Sequence, residues 1–274
     1  MRHIGLHLRL TESLHELAQK AQNLRLPFFQ CFFVFQATGK LIMLSEKEIQ
    51  SFVKKYRDVF SGMYLHGSYW INLAGIKNNG YRAFKRELAL AKRLSFTHMI
   101  LHSGSATGAE NRIEGINAFA SMLNSILKDE NEIQIIVENT AHGNMAIGSD
   151  IHDFKLLLER LEQPHKIAFS IDTAHAYVYG YDLATEQGQE DFIELIDTSI
   201  GVDKVKLIHL NDASYKCGSK IDRHAIIGKG YIGSTMLRRF ILHPQLQHIP
   251  LILELPVIPE EQEIAILEMV RSWH

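Results

Sequence analysis

The chain has 274 residues, of which 46% are apolar and two are cysteines, and its formal charge is −2. That length suits one α/β barrel with a full core, two cysteines furnish no disulfide framework, and the near-neutral balance excludes a generally basic coat for nucleic acid. No apolar run approaches the roughly 18 residues a membrane span needs, and a strand-like run at His3–Leu8 leaves no space for a secretory leader, so a soluble, cytoplasmic protein is expected.

Strand-like runs alternate with helical periods along the whole sequence. His3–Leu8 is followed by a helical stretch near Glu12–Asn23, and Pro27–Phe35 by a helix near Ser45–Phe60, whose Ser45 and Glu48 have capping-box spacing. Met63–Leu65 precedes a helix near Tyr81–Leu94 with Phe84, Leu88, Ala91 and Leu94 on one face. His98–Leu101 leads to Glu114–Lys128, Ile133–Val137 to Asp150–Leu161, and Ile167–Ile171 to Glu186–Ile200. Val205–Leu210 leads to Ser234–Leu242 and Leu251–Leu255 to Glu260–Trp273. Eight β/α units with apolar strands imply parallel strands covered by helices, which favours an eight-stranded (β/α)8 TIM barrel as a single domain over residues 1–274. An open doubly wound sheet is the weaker alternative, because ligands from six of its strands could not reach one crevice.

Residues of metal-ligand type close many of these runs. His66, His102, Glu138, Asp172, His209 and Glu254 end or directly follow strands, while His175, Asp222 and His224 lie in the segments beyond. Strand ends on one barrel rim converge, so groups distant in sequence meet there. Imidazole and carboxylate together suit zinc, with Mn2+ or Fe2+ as competitors. The longest connection, Asn211–Gly233, holds Asp222 and His224 among four glycines, as expected of a loop pinned by a metal. Cys31 reads as a small core residue and Cys217 as a plain loop thiol.

Three strings are specific: VENTA at Val137–Ala141, IDTAHAYVYGYD at Ile171–Asp182, and IHLNDASYKCGSKIDRHAIIGKGYIG at Ile208–Gly233. With His66-Gly-Ser-Tyr-Trp-Ile-Asn-Leu, His102-Ser-Gly-Ser and Leu253-Glu254, they resemble the endonuclease IV family of abasic-site DNA repair enzymes over nearly the whole chain. The resemblance implies a TIM barrel with three zinc ions: His66 and His102 on the first, Glu138 bridging it to a second that also takes Asp172, His209 and Glu254, and His175, Asp222 and His224 on the third. It also implies hydrolysis of the phosphodiester 5′ to an abasic site in double-stranded DNA, and trimming of blocked 3′ ends, by a monomer with Glu138 and Glu254 as catalytic residues. Clustered cations suit this chemistry because an anionic phosphodiester repels free hydroxide.

By the same resemblance Tyr69 and Trp70 form a wedge that enters the minor groove, consistent with apolar wedges unstacking base steps. Arg223 is expected on phosphate, and Lys216, Lys220 and Lys229 are further phosphate candidates. Two segments depart from the family. A glycine-containing loop after His7 is replaced by Leu8-Arg9-Leu10-Thr11-Glu12, and the loop after Phe35, Gln36-Ala-Thr-Gly-Lys40, offers Lys40 as partial substitute for an arginine. The alternative function is a metal-dependent sugar isomerase or epimerase on a related barrel, for which His175, Asp222 and His224 would be surplus. A barrel that binds damaged DNA without cutting would be expected to lack a ligand.

Overall fold

A computed structural model describes residues 2–11, 13–35, 38–77 and 80–273. Its centre is a closed barrel of eight strands: β1 Ile4–His7, β2 Phe28–Cys31, β3 Gly62–His66, β4 His98–His102, β5 Gln134–Glu138, β6 Ile167–Asp172, β7 Val205–His209 and β8 Leu251–Leu253. Each pairs in parallel with its sequence neighbours, and β8 closes on β1 through Ile4–Leu251 and Leu6–Leu253. Among the described residues, no helix is long and apolar enough to cross a membrane.

The strands run from an apolar interior layer to a polar rim, and the period of two makes this visible residue by residue. Phe28, Tyr64, Ile100, Ile136, Ala168, Leu207 and Ile252 form one buried interior cluster. Two positions further on, the same face carries Gln30, His66, His102, Glu138, Ser170, His209 and Glu254. Gly5 occupies the β1 place in the lower layer, where an added Cβ would lie 2.5 Å from the Phe28 ring. The β1 residue above it is His7.

Helices α1 Leu14–Asn23, α2 Glu46–Tyr56, α3 Tyr81–Arg93, α4 Arg112–Leu127, α5 His152–Leu158, α7 Glu186–Ile200, α8 Ser234–Leu242 and α9 Glu260–Arg271 cover the outside, and α6 Thr173–Tyr179 sits on the rim. The capping box of α2 forms: Ser45 Oγ accepts from Glu48 N and the Glu48 carboxylate accepts from Ser45 N at 2.7 Å. Such a cap contributes on the order of 1 kcal/mol.

Three local expectations change. The apolar run Pro27–Phe35 divides, because only Phe28–Cys31 joins the barrel. Val34–Phe35 instead pairs antiparallel with Lys40–Leu41 in a separate hairpin, whose Gln36 and Ala37 lie outside the described residues, as does Glu12. The buried face of α3 is Phe84, Glu87, Leu90 and Ala91, with Leu88 half-buried. Glu87 is accommodated because its carboxylate accepts from Ser68 N and Oγ, although burial pushes its pKa up. Helix α6 adds an element to the pattern, since seven residues are too few to show a helical period in the sequence.

Candidate metal centre

Glu138 stands at the middle of the rim, fully buried. Its Oε2 is 3.1 Å from Nε2 of both His66 and His102, and its Oε1 is 2.7 Å from His209 Nδ1. Burial alone would raise its pKa, but the adjacent His209 and His102 hold the carboxyl well below the usual carboxylate range. Burial likewise disfavours a charged His209, yet Glu138 and Glu254 raise its pKa to about 9. Against the same opposing effect of burial, neighbouring carboxylates raise His66 and His175. The shifts share one cause, the carboxylates gathered at the rim, and that concentration of negative charge is the electrostatic condition for holding cations.

The ligand-type atoms fall into three overlapping groups, each within 4.8 Å: His66, His102 and Glu138; Glu138, Asp172, His209 and Glu254; and Asp172, His175 and His224. Asp222 Oδ1 lies 3.2 Å from His175 Nε2 and 3.8 Å from His224 Nε2, so it joins the third group from the loop side. All nine sequence-predicted ligands are thus brought together, and Asp172 stands between the second and third groups, an arrangement the sequence did not indicate.

Backbone and amide partners fix which nitrogen faces inward in four of the imidazoles. His66 Nδ1 donates to the Gly67 carbonyl at 2.9 Å, His175 Nδ1 to the Asn139 carbonyl at 2.9 Å, and His224 Nδ1 to the Glu254 carbonyl at 3.1 Å. His209 donates through Nε2 to Gln30 Oε1 at 2.9 Å. In each case the remaining nitrogen turns its lone pair to the cluster, as ligating histidines require. His224 Nε2 is buried without a hydrogen-bond partner, 3.6 Å from Asp172 Oδ2. A buried polar atom left alone in this way costs about 1–3 kcal/mol, and a metal ion fits it.

Sequence reasoning missed the second layer. The Gln30 amide donates to Glu254 Oε1 at 2.6 Å and to His7 Nδ1 at 2.7 Å while accepting from His209. Asn211 Nδ2 bonds Asp172 Oδ2 at 2.5 Å and Glu254 Oε2 at 3.2 Å, and its Oδ1 accepts from Glu254 N. Asp172 also caps α6, accepting from His175 N at 2.7 Å, so the cap sets the spacing of two ligands. Asp212 holds the long loop: its carboxylate accepts from the backbone N–H of Gly228, Gly230 and Ile232, each at 3.0 Å. An added Cβ on Gly230 would collide with Asp212 Oδ1. The loop that carries Asp222 and His224 is therefore pinned independently of metal.

The centre opens into a cavity of about 300 Å³ lined by His7, Arg9, Phe32, Tyr69, Arg223 and several of the ligands. Tyr69 is 72% exposed and Trp70 66% exposed. Tyr69 stands 5.7 Å from the Phe32 ring and 6.5 Å from His102, whereas Trp70 packs over Gly39 at the hairpin. Lys40 is exposed on that hairpin and does not line the cavity. Arg223 is exposed at the mouth. Lys216 and Lys229 are exposed within the long loop, but the Lys220 ammonium sits 3.3 Å over the Tyr179 ring. Cys31 is buried and Cys217 exposed, both as free thiols.

Residues 18–273 match the family described as "Xylose isomerase-like TIM barrel". The chain is 32% identical over 262 residues to the probable endonuclease 4 of Thermosipho africanus, covering 92% of each protein. With the probable endonuclease 4 of Halothermothrix orenii the identity is 30% over 279 residues, covering 98% of this chain and 99% of the relative. The crystal structure of endonuclease IV from Thermus thermophilus superposes with a TM-score of 0.84 at 27% identity, over 100% of this chain and 98% of that one.

Proposed function

The chain belongs to the endonuclease IV family of TIM-barrel DNA repair endonucleases, and from that premise we propose that it hydrolyses the phosphodiester 5′ to an abasic site in double-stranded DNA. The products are a 3′-hydroxyl and a 5′-deoxyribose phosphate, and the same centre trims blocked 3′ ends. The observation that carries this reading is the convergence of nine imidazole and carboxylate groups on one rim, with the inward-facing nitrogens of His66, His175, His209 and His224 set by fixed oxygen acceptors on the other ring nitrogen.

His66, His102 and Glu138 would hold one zinc, Glu138 with Asp172, His209 and Glu254 a second, and His175, Asp222 and His224 a third. When bound, such ions supply Lewis-acid activation of water and offset negative charge on the phosphate. Glu138 holds the first two groups at fixed spacing, since its two oxygens face different imidazoles. Gln30 and Asn211 orient Glu254, which faces the cavity. Arg223 offers a charged fork to a phosphate oxygen. The sugar-isomerase alternative gives the outer triad of His175, Asp222 and His224 no task. In this reading the enzyme acts as a monomer.

The test is the end chemistry of a duplex with one natural abasic site. A 3′-hydroxyl is expected, and an unsaturated sugar on the 3′ end would identify a lyase instead.

Tyr69 and Trp70 project beside the cavity as a wedge for the minor groove, which helps to bend DNA so that its phosphate reaches the rim. Unstacking a base step costs a few kcal/mol, so loss of the wedge weakens lesion binding. Tyr69→Ala combined with Trp70→Ala should reduce cleavage of abasic duplex by roughly ten- to a hundredfold more than cleavage of a small activated phosphodiester, which needs no bending. Equal losses on both substrates would assign the two rings to support of the rim itself.

A further inference from the structure

The strand periodicity of β1 continues past its last residue. Gly5, His7 and Arg9 share one parity, while Leu8 is buried in the core and Leu10 packs against it. Leu8 N still bonds the Gln30 carbonyl at 2.8 Å, so the backbone direction is kept. Arg9 is therefore raised roughly 6.5 Å along the strand above His7, and both line the metal cavity. Its Nη2 donates to the Leu255 carbonyl at 2.8 Å, one residue beyond Glu254.

That single bond orients the guanidinium and leaves most of its five N–H groups unused. No carboxylate among the described residues lies within ion-pair distance of it. Lys40, the hairpin cation, does not line the cavity, so Arg9 places fixed positive charge closer to the reaction than that hairpin does. A held guanidinium with free donors matches the geometry of a phosphate oxyanion. Because it stands above the level of His7 and Glu254, it meets a phosphate next to the scissile one.

We propose that Arg9 is a DNA-contacting residue that grips a backbone phosphate flanking the cleaved bond. This rests on the reading of the site as an abasic-DNA hydrolase. The test is steady-state cleavage of an abasic duplex over about 50 to 200 mM salt by zinc-loaded wild type, Arg9→Gln and Arg9→Lys, with a small activated phosphodiester in parallel and zinc content measured for each. Arg9→Gln should raise KM for the duplex about tenfold and lower the slope of log(kcat/KM) against log salt by about one, the signature of one lost phosphate contact. Its loss on the duplex should exceed its loss on the small diester by about tenfold, and Arg9→Lys should recover the slope but only part of the KM. An unchanged slope would overturn the proposal. So would equal losses on both substrates with reduced zinc, because Arg9 would then only prop Glu254 through Leu255. Wild type that makes no incision at all would defeat the functional reading, and the inference with it.

Discussion

If the proposed function holds, replacement of Glu138 by Gln is expected to lower incision of an abasic duplex by about a thousandfold or more, equivalent to roughly 4 kcal/mol of barrier. The substitution preserves size and removes charge. Glu138 is completely buried, and its oxygens face His66, His102 and His209 at 2.7–3.1 Å. A neutral amide keeps one oxygen but replaces the other by an NH2 group, which has no lone pair for a metal ion, so one side of the bridge would lose its ligand. The effect is measured as kcat at saturating DNA with zinc content determined on the same sample. Near-normal turnover at full zinc content would remove Glu138 from the reaction.

Loss of one ion per chain is the second large effect, expected for His175→Ala. His175 faces Asp222 at 3.2 Å through Nε2 while its Nδ1 is committed to the Asn139 carbonyl. Removing the ring leaves Asp222 and His224 with too few partners for a closed site. The Glu138 groups remain complete, so the inner pair is retained. Incision falls by about a hundredfold or more, because charge at the phosphate is no longer offset. Elemental analysis reads the ion count directly. Loss of two or three ions would show that the groups are not separable and that Asp172, which stands between them, ties them into one cluster.

The barrel was legible because parallel strands buried on both faces leave apolar runs, and the helices between them leave their own period. Six of the nine proposed ligands were legible because they close those runs at the C-terminal end, and His175, Asp222 and His224 lie in the segments just beyond. His7 and Gln30 carried the same signal: each lies two positions beyond an interior residue, Gly5 and Phe28, on the face that bears His66 and Glu254. Gln30 is masked in the sequence because it sits inside the aromatic run Phe28–Phe35, which reads as continuous strand. Asn139, Asn211 and Asp212 gave no such signal. Their partners are backbone groups and carboxylates brought close only by closure of the barrel, and an Asn or Asp beyond a strand end is ordinary in a loop. Asp172 between two groups was hidden for a related reason, since the seven-residue helix it caps leaves no period to read.

The most direct measurement is the number of zinc ions per chain in purified, active protein, determined by elemental analysis alongside a chelator titration of incision. The account predicts three ions, and incision that is lost on chelation and restored by zinc. Full incision of abasic duplex by protein that carries no divalent metal would contradict it.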